Sequence, residues 1–126
     1  MCGIIGYVGP REASRVVVEG LRRMEYRGYD SAGVAVVTDG ALEVRKKAGK
    51  IVNLDAAIAA DPLPPTGLGI GHTRWATHGG PTDYNAHPHT SANGRVALIH
   101  NGIIENFAPL RAELVAQGVA FTSETD

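Results

Sequence analysis

The first group in the chain that could do chemistry is the thiol of Cys2, the only cysteine among 126 residues. It directly follows Met1, and an initiator methionine is commonly trimmed when the next side chain is small. Trimming would leave a thiol and a free α-amine on one residue. In model compounds a thiol titrates near ~8.5 and an α-amine near ~7.7–8.0, so part of the amine is unprotonated at neutral pH and can take the sulfur proton. Nucleophile and base would then share one residue, the arrangement of N-terminal-nucleophile chemistry. The competing reading is structural, because a lone intracellular cysteine is ordinarily a small buried hydrophobe.

A second concentration of binding side chains runs from Arg74 to Ala92, a stretch rich in Gly, Pro, His and Thr with no hydrophobic period. A polar loop of that length inside a compact domain usually serves function. Arg74 carries a planar fork matched to a carboxylate, although a single arginine is more often a solvated surface residue. Thr77 and His78 add donors. Trp75, the only tryptophan, reads either as ordinary core or as part of a moving loop hinged at Gly79-Gly80. His87-Pro88-His89, with His72 and His78, invites a metal reading. Without HExxH or CxxC spacing, no metal site is predicted. Asn101-Gly102 offers a carboxamide and an unhindered backbone N–H after an expected strand; by itself that pair is most often a turn.

Composition narrows the setting. Hydrophobic residues make up 44% of the chain and the net charge is −1, which fits one globular domain or part of one. With no basic run, nucleic acid is not an expected partner. No apolar stretch approaches the ~20 residues needed to span a bilayer, and the start is not a secretory signal, so no membrane partner is expected. One unpaired cysteine excludes an internal disulfide framework and favours a reducing, cytoplasmic setting.

The elements that must position these groups follow from periodicity. Residues 3–9 read as a short buried strand. Pro10 can open a helix carrying Ala13, Val17, Leu21 and Met24 on one face, with Gly20 marking close packing and Gly28 as its stop. Residues 31–38 and 42–47 flank Asp39-Gly40, a hairpin signal. Asn53 can cap a helix to Ala60, after which the proline-rich stretch 61–67 forbids regular structure. Strands are expected at 68–73 and 95–100. A helix capped by Asn106 and carrying Leu110, Leu114 and Val115 should stop at Gly118, and Phe121 should begin one more strand. Antiparallel hairpins with helices segregated between them indicate an α+β fold.

Four stretches taken in order carry a resemblance: Met1–Gly6, EYRGYDSAG at 25–33, GHTRWATHG at 71–79 with NAHPH at 85–89, and HNGIIEN at 100–106. Together they resemble the glutaminase domain of the class II glutamine amidotransferases, over essentially all 126 residues. Tyr29-Asp30 and the HTRWATHG loop are typical of the branch that aminates fructose-6-phosphate. The resemblance implies an N-terminal-nucleophile hydrolase fold, a four-layer αββα sandwich continuing beyond residue 126, and a separate sugar-phosphate isomerase domain after it. Residues 1–126 would then be the N-terminal part of the glutaminase domain. It further implies that Cys2 attacks the side-chain amide of L-glutamine, with its own amine as base and then acid. Asn101 and Gly102 would form the oxyanion hole. Arg74, Thr77 and His78 would bind the α-carboxylate end, and Asp126 with the Gly102 carbonyl the α-ammonium. Trp75 would belong to a lid over residues 74–80, braced by residues 85–89. Arg27, Tyr29, Asp30 and Ser31 would lie in support around the thiol. No organic cofactor is implied. The complete protein would be a homodimer that passes ammonia to fructose-6-phosphate.

Overall fold

The computed structural model describes all residues, 1–126. Four strands form one antiparallel sheet in the order β1-β4-β2-β3: β1 Gly3–Val8, β2 Ser31–Thr38, β3 Ala41–Ala48 and β4 Leu68–Arg74. Helices α1 (Ala13–Arg22) and α2 (Ile51–Ala60) accompany it, and α1 lies against β1, β2 and β4. A second antiparallel ribbon pairs β5 (His89–Thr90) with β6 (Ala97–Leu98), and α3 (Phe107–Ala116) follows. The fold is therefore α+β, with the elements of an αββα succession and a much reduced second sheet.

The core sits between α1, α2 and the sheet. Ala13, Val17, Val18 and Leu21 from α1 meet Ala32, Val34 and Val36 from β2 and Ile51 and Leu54 from α2. The expected α1 stripe is thus real, with Met24 packed at its edge. A Cβ on Gly20 would sit 3.0 Å from the Ile5 Cδ1 atom, the close packing anticipated there.

Glycine lets both faces of the sheet be approached closely. A Cβ on Gly71 would overlap Val17 of α1, so the helix rests directly on β4 backbone. A Cβ on Gly33 would overlap the His87 carbonyl on the opposite face, so the 85–88 segment rests directly on β2. Side chains alternate along a strand and cross-strand partners share a face. His72, the register partner of Gly33, therefore points away from α1, as does Arg74 two residues on. A Cβ on Gly3 would touch Met24 on the helical side, which puts the preceding Cys2 on the same face as His72 and Arg74.

Several sequence expectations need correction. Strand β1 is buried on one face only, and Ile4 and Val8 are 50% and 81% exposed. Helix α1 begins at Ala13, not at Pro10, because Gly9 and Ala13 donate their amides to the Gly67 and Thr66 carbonyls at 2.9 and 2.7 Å. It ends at Arg22, and Gly28, at φ +75°, closes a separate turn of 3-10 helix over Glu25–Arg27. Helix α2 starts ahead of Asn53, at Ile51, whose N–H donates to the Tyr29 hydroxyl at 2.8 Å. Asn53 instead donates to the Ala48 carbonyl at 3.0 Å. The strand expected at 95–100 shrinks to two residues, since β5 is its only partner. No strand forms at Phe121. There Arg111 donates to the Ser123 and Thr125 carbonyls at 2.6 and 3.2 Å and stacks over the Phe121 ring. Helix α3 starts after Asn106, but the Asn106 side chain makes no capping hydrogen bond and none of the helix residues is buried. The hairpin at Asp39-Gly40 forms as read, with positive φ at both residues.

Candidate active site

On the face of the sheet opposite α1 lies a cleft of about 770 Å³. Its lining includes Cys2, Arg74, Trp75, Thr77, His78, Asn101, Gly102 and Asp126, so the residues given catalytic, binding and lid roles meet there, while Arg27, Tyr29, Asp30 and Ser31 do not line it. The volume suits a small-molecule site. A larger groove of about 1030 Å³ runs between α1 and α2, but surface ions such as Arg22–Asp55 (2.8 Å) line it and it lacks the thiol.

Cys2 precedes β1, beside the end of β4. Its Sγ accepts the Trp75 N–H at 3.2 Å, and the Trp75 carbonyl lies 3.7 Å away. Met1 is still attached, and its ammonium donates to the Gly28 and Arg27 carbonyls at 2.9 and 3.3 Å. The strand end is fastened to its neighbour by Asp30, whose N–H donates to the Arg74 carbonyl at 2.7 Å and whose carboxylate accepts the Ala76 N–H. Tyr29 bridges Glu25 and the first amide of α2, and burial together with the Glu25 hydrogen bond pushes its hydroxyl up to about 12.

Arg74 is buried at 4% exposure, not solvated. Its terminal nitrogens donate to the Gly80 carbonyl at 3.0 Å, to Gly79 at 3.3 Å and to His78. The arginine thus shapes the 75–80 loop from within. Trp75 is 54% exposed, and its indole edge lies against Gly28. It is not core. Thr77 is exposed on the cleft rim, and His78 stands edge-on to Phe107 with centroids 4.7 Å apart. Asn85 is fully buried and braces the loop: it donates to the Gly80 carbonyl at 3.0 Å and accepts the Glu124 N–H at 2.8 Å.

The far wall carries Asn101, Gly102 and Asp126. Asn101 Oδ1 lies 2.6 Å from His72 Nε2. Asp126 accepts the Ile104 N–H at 2.5 Å, which ties the chain's last residue to the segment just after Asn101-Gly102.

Three histidines, His87 and His89 from the segment expected to brace the lid and His72 weighed only as a metal ligand, form a stack behind the cleft. His72 and His87 stack with ring centroids 4.5 Å apart and planes 25° from parallel, and His87 meets His89 at 4.4 Å. Burial lowers all three below the ordinary imidazole range. For His87, repulsion from His72 adds to burial and brings it to about 3; for His89, the nearby Lys46 adds and brings it to about 4. Lys46 reaches under the same segment and donates to the Ala86 carbonyl at 2.8 Å, and burial lowers its ammonium too. His72 could have been found from alternation alone, since it precedes Arg74 by two residues on the same strand face.

A family described as "Glutamine amidotransferase domain" matches residues 60–126. The chain belongs to that family. Among curated relatives, glutamine–fructose-6-phosphate aminotransferase (isomerizing) of Streptomyces coelicolor is 68% identical over 126 residues, all of this chain and 20% of that protein. The enzyme of the same name from Mycolicibacterium smegmatis is 62% identical over 132 aligned residues, again all of this chain and 21% of that protein. The chain spans about a fifth of the length of these relatives. The solved structure of glutamine phosphoribosylpyrophosphate amidotransferase from B. subtilis superposes with a TM-score of 0.78 at 27% identity, covering 100% of this chain and 27% of that one. The solved structure of the allosteric regulatory enzyme of purine biosynthesis gives a TM-score of 0.79 at 29% identity, over 98% of this chain and 27% of that one.

Proposed function

We propose that residues 1–126 are the N-terminal part of a glutaminase domain that hydrolyses the side-chain amide of L-glutamine. In a longer protein it would supply the ammonia to fructose-6-phosphate. The observation that carries this reading is the position of Cys2, its sulfur on the cleft wall under the Trp75 amide, with Asn101 and Gly102 lining the same cleft.

With Met1 removed, the Cys2 amine takes the thiol proton and the sulfur attacks the amide carbon of glutamine. The Asn101 amide and the Gly102 N–H receive the charge that develops on the carbonyl oxygen, a service worth ~10²–10³ in rate for each donor. The protonated amine returns its proton to the leaving nitrogen, and ammonia departs. Water then attacks the γ-glutamyl thioester, giving glutamate and the restored thiol. Arg74, Thr77 and His78 orient the α-carboxylate, while Asp126 and the Gly102 carbonyl take the α-ammonium. The 74–80 loop, which carries Trp75 just after β4, closes over the substrate. Sugar-phosphate conversion belongs to chain outside these residues, in a homodimer of the complete protein working in the cytoplasm. No organic cofactor takes part in the steps written here.

Cys2→Ala in the full-length protein should lower glutamine-dependent ammonia release by at least ~10³-fold, while fructose-6-phosphate binding stays within about twofold. Ammonia release at the unmodified rate by that variant would refute the proposal.

A further inference from the structure

We infer that His72 is a positioning residue, whose Nε2–H donates to Asn101 Oδ1 and thereby turns the amide N–H₂ end of Asn101 toward the oxyanion. The inference rests on the role proposed above for Asn101 and adds the group that decides which end of the carboxamide faces the reacting carbonyl.

The geometry leaves one consistent arrangement. His72 is 1% exposed and stacks on His87 with ring centroids 4.5 Å apart, which holds the ring in its plane. Its Nε2 lies 2.6 Å from Asn101 Oδ1. Its Nδ1 is buried with no hydrogen-bond partner. A proton on Nδ1 would be an orphaned donor in the interior, which is disfavoured. The neutral ring therefore carries its proton on Nε2, and that N–H needs an acceptor. Asn101 meets it with oxygen, which leaves nitrogen as its outward end. The flipped carboxamide would need an unprotonated Nε2 and so the orphaned Nδ1–H. An imidazolium would orphan the same atom, and burial lowers the tendency of this ring to charge.

This selection matters because Asn101 itself is exposed. Free rotation about its terminal bond would present oxygen as readily as nitrogen, and oxygen would repel the developing charge. The strand thus lends a rigid donor to a residue on a less buried segment.

The test is steady-state glutamine hydrolysis by the full-length protein. His72→Ala should lower kcat about 10- to 100-fold, less than the ~10²–10³ cost of removing an oxyanion donor outright, because Asn101 stays in place but loses its fixed orientation. KM for glutamine should stay within about twofold, because the ground-state carbonyl demands less of the donor. In His72→Gln the amide N–H can reach Asn101 Oδ1, and kcat should return to within about fivefold of the parent. In an Asn101→Ala background, His72→Ala should cost nothing more, since it acts only through Asn101. An unchanged kcat in His72→Ala, or losses that multiply in the double variant, would overturn the inference. Should His72→Ala fail to accumulate, His72→Gln against the donor-less His72→Met reads the same difference, and equal kcat values for the two would overturn it. If Asn101→Ala is impaired while every His72 variant is normal, this inference falls alone. If Cys2→Ala retains full turnover, the parent reading falls instead.

Discussion

Leu21 and Leu114 are the same residue type, each on a ten-residue helix. Leu21 is fully buried between α1 and the sheet, while Leu114 is 39% exposed on a helix with no buried residue. The contrast extends to the two walls of the cleft. The wall that carries Cys2, His72 and Arg74 is the outer face of a sheet backed by a closed apolar core. The wall that carries Asn101, Gly102 and Asp126 is held by separate polar ties: His72 to Asn101, Ile104 to Asp126, Asn85 to Glu124, His89 to Thr125 and Arg111 to residues 123 and 125. Apolar burial fixes many atoms at once, whereas a single hydrogen bond contributes only ~1 kcal/mol net. The nucleophile thus stands on a rigid base, and the groups facing it are placed one bond at a time.

That contrast can be broken experimentally. Leu21→Ala should destabilise the 126-residue chain by about 2–5 kcal/mol, the cost of a cavity in a closed core, measured as a shift in urea midpoint. A loss below ~1 kcal/mol would mean that the helical face is not the structural base.

Acid should act on the other wall first. His87 and His89, at about 3 and about 4 in the fold, titrate near 6.5 when unfolded. Between those values the unfolded state binds more protons, so their contribution is fully present above about pH 6.5 and is lost as pH falls toward 4. Hydrogen-exchange protection of residues 85–101, corrected for intrinsic rates, should drop about tenfold or more over that window, since one pKa unit corresponds to a factor of ten. Protection in β2 and β4 should fall less, and an equal loss in both regions would erase the distinction. The smallest effect is expected from Leu114→Ala, under ~1 kcal/mol in the same 126-residue chain by the same urea measurement.

Much of the helix-backed half was legible in the sequence. The α1 stripe and the Asp39-Gly40 hairpin are written in local periodicity and turn chemistry, which the tertiary fold did not override. The boundaries missed at Pro10 and Asn53 moved because amides found tertiary partners in Thr66, Gly67 and the Tyr29 hydroxyl, while the one at Gly28 moved because the amides of Met24, Arg27 and Gly28 turn to carbonyls three residues back and form a separate 3-10 turn. The other half read less well. Residues 95–100 have strand composition, yet a strand needs neighbours, and β6 has only the two residues of β5. Phe121 is spent on a cation–π contact with Arg111 at 4.5 Å. The candidate site was legible as a set of residues through its four motifs, and those residues do converge on one cleft. The buried state of Arg74 and the bond from His72 to Asn101 were not, because each depends on which strand face meets which loop.

The most direct measurement is the intact mass of full-length active protein after reaction with an electrophilic diazoketone analogue of glutamine, followed by peptide mapping. The account predicts a chain lacking Met1, with one adduct on the sulfur of Cys2, formed in step with the loss of glutamine hydrolysis. Active protein that retains Met1, or inactivation by an adduct on any other residue, would contradict it.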